Sequence, residues 1–550
     1  MSSTATRTRS GGGRHRKVPD RSPRRVVGWS LGVSAVSTVM MTLDITIVLV
    51  ALPAIREDLG LTLSGSQWVI NAYSLTFASL MLAAASLSDI VGRRTIFLIG
   101  HVIFLAASVG CVLTGTEAGL IAFRAVQGAG GALVFGTATP LLADAFEEKD
   151  AAKRTRAVAA MMGIGGAASA FGPLIGGALV ETGEWRWIFA INIPIGVLVI
   201  LATLVFVPDL YRESRSRAGA APAPQGVPQG TPQGTPPDVP VTPQRRAPKV
   251  SVFAMLLTVG ALALLNYGII DGEDRGWTSQ VIVASLGAGV LLFAALVLWE
   301  LHKRDGAMID FRLFRIPSFA TVTFNAFASR MFSFGMLPFL VLWMSGQLGL
   351  SALEIGYVAS GLAVPMILFS AVGIRAVAWI PVGWVQAVGM VIVAGGLMLG
   401  LRLDTDSDWH TLLPMLIVMG AGTGLMLPHV MSLAVEVVPA SRTGMASGLA
   451  NTALPLGTAT GVAVYGAYLA NKVNGGLDTL PIPEQFRGIA QDAAEAGQFR
   501  LIAQRSEPLA QQALQFFLDG LHGIFIIAAI LALIGAVASV VFIRKPRERA

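Results

Sequence analysis

Charged residues are the first shortage in this chain. Only 13% of its 550 residues are Asp, Glu, Lys or Arg, against about 25% in an ordinary soluble domain. No soluble core explains such a deficit over this length. Cysteine is scarcer still: Cys111 stands alone, which excludes an intramolecular disulfide and a cysteine-based metal site. In its apolar stretch it reads as a small packed residue. The six histidines are scattered. There is no His-rich cluster, no Walker-type glycine–lysine loop and no soluble catalytic stretch, so a membrane enzyme or sensor has no chemistry to work with. Short alternating segments of the kind that build a transmembrane barrel are missing as well. No metal or cofactor is expected.

What the chain has is apolar length. Hydrophobic residues make up 54% of it, in runs that reach or exceed the roughly 18–20 residues a spanning helix needs. The expected fold is an all-α polytopic membrane protein with about fourteen spans. They fall near 28–53, 66–88, 95–115, 118–143, 157–180, 186–207 and 251–271. The rest fall near 278–301, 317–345, 352–373, 380–403, 411–438, 444–470 and 516–543. Residues 1–27 form a basic Ser/Gly/Arg-rich tail without a cleavage site after a short apolar region, so the first run reads as a retained span. Residues 209–250 are rich in Pro, Gly and Gln and cannot pack a core; they read as a flexible cytoplasmic linker. The linker leaves 28–208 with six spans before it. After it come 251–301 with two, 302–543 with six, and a basic tail at 544–550.

The formal net charge of +7 does not point to nucleic acid, because the basic residues occupy tails and short loops. Arg93, Arg94, Lys153, Arg154, Arg156, Lys303, Arg304, Arg312, Arg315, Arg375, Arg442 and the C-terminal tail all fall on one side. Asp271, Asp274, Asp404 and Asp408 fall on the other. The positive-inside rule makes the first side cytoplasmic, with both termini inside. Arg far outnumbers Lys, and Ala and Gly abound. The setting this composition points to is a GC-rich bacterium and its plasma membrane. The chain also echoes itself. QGAGGALVFGTATPLLADAF from Gln127 follows the pattern of MGAGTGLMLPHVMSLAVEVV from Met419, with Asp144 opposite Glu436. Two parallel halves of this kind are a transporter signature.

Within the spans, Asp44 is the leading candidate for chemistry, because a carboxylate at membrane depth is costly. Arg124 falls at a similar depth on a span of opposite direction. Arg124, Gln127, Gly128 and Gly131 share one helical face, so the glycines admit a neighbouring helix while Arg124 and Gln127 turn polar groups toward it. Burial favours the neutral acid and the guanidinium favours the carboxylate. That balance suits a proton carrier; the alternative is a salt bridge that only ties helices together.

Between spans two and three, Gly92 permits a tight turn, Asp89 can accept from a helix N-terminus near Gly444–Ser447, and Arg93 and Arg94 can pair with carboxylates. The alternative is an ordinary positive-inside loop. In span five, Gly165, Ser169, Gly172 and Gly176 line one face and Pro173 bends the helix. A central cavity would draw on Gln127, Asn192, Asn325, Phe327 and Arg330, with apolar walls suited to an amphipathic aromatic molecule. His429, Asn325 and Asn451 also suit bonds between helices. Trp68, Trp185, Trp187 and Trp277 read as interface anchors.

Taken together, these segments resemble the major facilitator superfamily, and within it the fourteen-span drug:proton antiporters. LDITIVLVALPAI (Leu43–Ile55) is similar to that subgroup's first-span motif, SLSDIVGRR (Ser86–Arg94) to the superfamily loop motif, and RAVQGAGGA (Arg124–Ala132) to the proton-linked motif. GPLIGG, with Gly172, Pro173, Gly176 and Gly177, is similar to the antiporter motif. WRWIFAINIPIG (Trp185–Gly196) and SRTGMASGLANT (Ser441–Thr452) also fit. The resemblance implies two six-helix bundles that rock around a central cavity, with spans seven and eight as an extra pair. It implies proton-coupled export of a small molecule by a monomer, with no nucleic-acid partner. An exporter of an envelope lipid or metabolite and a nutrient importer are the readings that compete with drug or antibiotic efflux.

Overall fold

The computed structural model describes residues 23–146, 150–209, 251–303, 309–439 and 442–543; within them a few helical side chains, among them those of Asp89 and Ser169, are outside the description. The 210–250 linker and both tails also lie outside it. The described residues contain no strand. Fourteen long helical segments carry the architecture. They are α1 (Pro23–Leu59), α2 (Leu63–Val91), α3 (Arg93–Leu113), α4 (Glu117–Ala143), α5 (Ala151–Glu181), α6 (Trp187–Phe206) and α7 (Val252–Ile270). The second seven are α8 (Gln280–His302), α9 (Pro317–Gly346), α10 (Ala352–Ala376), α11 (Val382–Arg402), α12 (Trp409–Glu436), α13 (Thr443–Asp478) and α14 (Glu507–Phe542). Twelve of these are long and apolar enough to cross a membrane among the described residues. The other two are α2, whose 29 residues carry Asp89 as their one charge, and α5, uncharged between Arg156 and Glu181.

Local chemistry marks the helix starts. Thr62, Thr116, Ser251, Ser279 and Ser506 each accept a hydrogen bond from the backbone three residues on, satisfying a donor that the first turn leaves free. Ser351 and Glu354 form a reciprocal capping box at the start of α10.

Helices α1–α6 pack on one another, as do α9–α14. The two sets repeat one arrangement. In the first, α4 lies between α2 and α3: a β-carbon on Gly128 would overlap the Tyr73 carbonyl of α2, and one on Gly130 would meet the Phe104 amide of α3 at 2.6 Å. In the second, α12 lies between α10 and α11: Gly420 abuts the Leu362 carbonyl and Gly422 faces Gly389 at 2.5 Å. The aligned glycines of the two echoed segments therefore do the same packing work. Helices α7 and α8 pair with each other, and α7 rests on both α2 and α13, along the line where the two sets meet.

At the end that carries the acidic loops the two sets are in close contact. A β-carbon on Gly356 of α10 would stand 2.7 Å from the Pro173 carbonyl of α5, and Gly177 abuts Ala352. Gln67 of α2 covers Gly466 of α13. Leu49, Val50 and Leu52 of α1 share one buried cluster with Met331, Phe332 and Leu337 of α9. The long loop between α13 and α14 joins the same cluster through Ile482, Phe499 and Ile502, and its Gly497 backbone seats against Gly346.

Candidate functional site

Asp44 is 2% exposed and Arg124 1%, so the carboxylate and the guanidinium meet away from water. Arg124 Nη1 donates to Asp44 Oδ2 at 2.6 Å. Two more bonds hold it: Nη1 also donates to Gln127 Oε1 at 2.6 Å, and Nε donates to the Val69 carbonyl at 3.1 Å. The Tyr73 ring lies 4.4 Å under the guanidinium and the Phe189 ring 5.7 Å from it, within cation–π range. Asp44 Oδ1 accepts from Gln127 Nε2 at 2.9 Å and from Asn192 Nδ2 at 2.8 Å. Gln127 Nε2 donates in addition to Ser108 Oγ at 3.0 Å. One carboxylate on α1 is thus held by side chains of α4 and α6, and the network is anchored on α2 and α3. A buried ion pair holds only with further hydrogen bonds to its partners; here Nη1 and Nε of Arg124 and both oxygens of Asp44 have them.

The sequence placed Asp44 beside Arg124 and Gln127 on the Arg124 face. It gave no sign of Ser108, Tyr73 or the Val69 carbonyl, which come from other helices without any periodic mark. The residues grouped around one cavity are divided by the structure. Gln127 and Asn192 commit their amides to Asp44. Asn325 is fully buried among α9, α11 and α14, donating to Ser539 Oγ at 2.8 Å and Gln386 Oε1 at 3.2 Å. Phe327 and Arg330 keep accessible surface. His429 bonds the Gly373 carbonyl at 2.9 Å, joining α12 to α10, and Asn451 bonds within its own helix.

At the basic end, Gly92 adopts φ +111° and ends α2 with a hydrogen bond from its amide to the Ser88 carbonyl, a backbone that only glycine adopts without strain. Arg93 ion-pairs with Asp144 at the end of α4 and also donates to the Pro140 carbonyl at 3.2 Å. Arg94 donates to the Leu204 carbonyl of α6 at 2.8 Å. The Asp89 side chain is outside the described set, so the expected docking on the Gly444–Ser447 helix start lies outside the described residues.

Helix α5 uses its glycines on two faces. Gly165 and Gly172 abut Thr38 and Thr46 of α1, and a β-carbon on Gly176 would stand 2.9 Å from the Ile47 carbonyl. The next face round, with Pro173 and Gly177, rests on α10. Two tryptophans depart from the anchor reading. Trp187 and Trp277 are 56% and 42% exposed, but Trp185 is buried and donates to Asp58 at 2.9 Å. Trp68 donates to Asp271 at 3.0 Å. Both indoles therefore donate to a carboxylate near a helix end.

The sequence model described as the Major Facilitator Superfamily matches residues 24–320 and 322–550. This chain belongs to that superfamily. Among its superfamily relatives is the tetracenomycin C resistance and export protein of Streptomyces glaucescens, 30% identical over 536 residues, covering 94% of this chain and 92% of that one. The multidrug resistance protein Stp of Mycobacterium tuberculosis is 31% identical over 468 residues, covering 82% and 78%. The probable actinorhodin transporter of Streptomyces coelicolor is 30% identical over 516 residues, covering 88% and 80%. The superfamily fold is seen in an inward-facing, unoccupied bacterial homolog of the human lysosomal transporter Spinster, with a TM-score of 0.61 at 16% identity over 96% of this chain and 99% of that one. A D-xylose–proton symporter gives 0.57 at 13% identity, over 94% and 98%. The chain is therefore an integral membrane transporter of the major facilitator fold, and its relatives are antibiotic and multidrug resistance and export proteins.

Proposed function

We propose that this chain exports small amphipathic molecules, antibiotics among them, in exchange for protons across a bacterial plasma membrane. The observation that carries the reading is the buried Asp44 carboxylate held by Arg124, Gln127 and Asn192. A charge enclosed in this way is a group whose protonation changes the forces around it: with a proton on, Asp44 no longer balances Arg124, and the pair loses most of its attraction.

The same geometry supplies a route from proton to motion. Thr46 and Ile47 follow Asp44 on α1 and lie against Gly172 and Gly176 of α5. Pro173 and Gly177, on the next face of α5, lie against Gly356 and Ala352 of α10. A shift of α1 on protonation is therefore felt at the contact between the two helix sets, where glycine backbones in contact leave no slack to absorb it. With the basic loops inside, all fourteen long helices cross the bilayer, both termini are cytoplasmic, and the sealed acidic end closes the outer side. Both helix sets are in one chain, so a monomer suffices. The 209–250 segment serves as a cytoplasmic linker to the α7–α8 pair, and Asp89 with Gly92, Arg93 and Arg94 forms the inner gate.

The test is efflux in a host stripped of its own pumps. Asp44→Asn should insert normally and lose gradient-driven efflux to the background of the empty host. Efflux at the wild-type rate by that variant removes Asp44 from the mechanism.

A further inference from the structure

Between Thr321 and Met344 every residue of α9 is buried except Phe324, Phe327 and Arg330. The three-residue spacing puts them on one stripe. Helix α9 packs on α12, α13 and α14, and its outer half on α1, and the part-exposed stripe lies between these contacts. Arg330 lies deep among its neighbours and still keeps accessible surface.

Arg330 is the one charged residue of α9. No carboxylate lies within ion-pair distance of it among the described residues, and its one aromatic neighbour in range is the Phe334 ring at 4.7 Å. Asp44 of α1 is committed to Arg124, and Glu354 of α10 to its capping box. The backbone beneath the stripe is fixed. Pro338 has no N–H to return to Phe334, and α9 passes the gap through a wide π-turn at Met331–Gly335. A β-carbon on Gly335 would stand 2.8 Å from the Gly461 Cα of α13, and Gly457 abuts the Phe327 carbonyl.

We infer that the Phe324–Phe327–Arg330 stripe binds the ionised acid group of an aromatic amphiphile, with Arg330 as its counter-charge and the phenylalanines along its ring system. A buried guanidinium without a carboxylate is a costly arrangement that an anionic ligand relieves by a charge-assisted hydrogen bond. A cationic ligand meets the wrong charge there. The inference rests on the export reading for its direction of transport, and it adds a signature. Each proton moving in carries one positive charge inward. A monoanion moving out adds a second, whereas a neutral molecule adds none.

The experiment uses the purified full chain and three probes sharing one ring system: an anthraquinone carboxylic acid, its methyl ester and its aminomethyl analogue. Binding is read first, by quenching of tryptophan fluorescence in detergent. Wild-type protein should bind the acid about tenfold more tightly than the ester or the amine, the size expected of one charge-assisted bond. Arg330→Gln should lose that preference and keep ester binding, which also reports an intact fold. Equal binding of acid and ester by wild type, or no binding of the acid, overturns the inference without any variant. Transport is read second, as current in proteoliposomes under an imposed pH gradient. The acid should drive about twice the charge per proton that the ester drives. Acid and ester moving equal charge per proton means that the acid travels neutral, which also overturns it. Preferential binding of the acid with no transport of any probe would instead overturn the export reading and leave the binding site standing.

Discussion

The first and last six helices share a scaffold and differ in what they hold. Gly128 and Gly420, and Gly130 and Gly422, make the same helix contacts in the two sets. One turn away the equivalence ends: Arg124 corresponds to Leu416 and Gln127 to Met419. Leu416 and Met419 are fully enclosed in the large apolar cluster of the second set, where the first set holds a buried charge pair. The backbone arrangement is set by small residues, and the chemistry by the residues between them. In the proposed reading the proton falls to the first set, which holds the buried acid Asp44. Substrate selection, in the same reading, falls to the second set, where Arg330 of α9 has no carboxylate within ion-pair distance among the described residues.

The sharpest way to break this division is at the charge pair. Arg124→Ala leaves Asp44 buried without its guanidinium and should cost about 3–5 kcal/mol, read as a large fall in melting temperature and in the yield of inserted protein. Adding Asp44→Asn to that variant should recover much of the melting temperature, because the uncompensated charge is gone, while coupling stays absent. A double variant no more stable than the single one would show that the pair is not what makes the site costly. At the corresponding position, Leu416→Ala opens a cavity worth about 2–5 kcal/mol. The protein that remains folded should keep wild-type protons moved per substrate, measured with a pH-sensitive dye; a lost stoichiometry would give the second set a share in coupling. The smallest effect belongs to the shared scaffold. Gly128→Ala and Gly420→Ala each push a methyl into a facing carbonyl and should cost about 1–3 kcal/mol by overpacking, alike in the two sets. A marked inequality in their melting temperatures would contradict the equivalence of α4 and α12.

Much of this was legible from sequence because membranes punish charge. Asp44 and Arg124 stand out in apolar runs, and opposite span directions bring them to one depth. The glycine echo marks the repeat, and Gly92 marks its turn. What stayed hidden depends on contacts between helices that no single periodicity records. Ser108 looks like any small residue of a spanning helix until α3 is set beside α4. Asn192 reads as a cavity amide until α6 brings it within 2.8 Å of Asp44. The glycine row Gly165–Gly172–Gly176 carries no mark of α1 as its neighbour, and Gly177, one residue beyond Gly176 and roughly 100° around the helix, meets α10 instead. Trp185 occupies an interface position by hydropathy and is buried because it packs in the cluster of Ile47, Leu61 and Phe189, with its indole N–H on Asp58.

The central claim is that Asp44 carries the exchanged proton. Its most direct test is proton movement in proteoliposomes holding a pH-sensitive dye, with an anthraquinone carboxylic acid added to start exchange, for wild type and for Asp44→Asn. The account predicts prompt substrate-driven proton movement in wild type and none above the protein-free liposomes in Asp44→Asn. Proton movement of equal size in the two would contradict it.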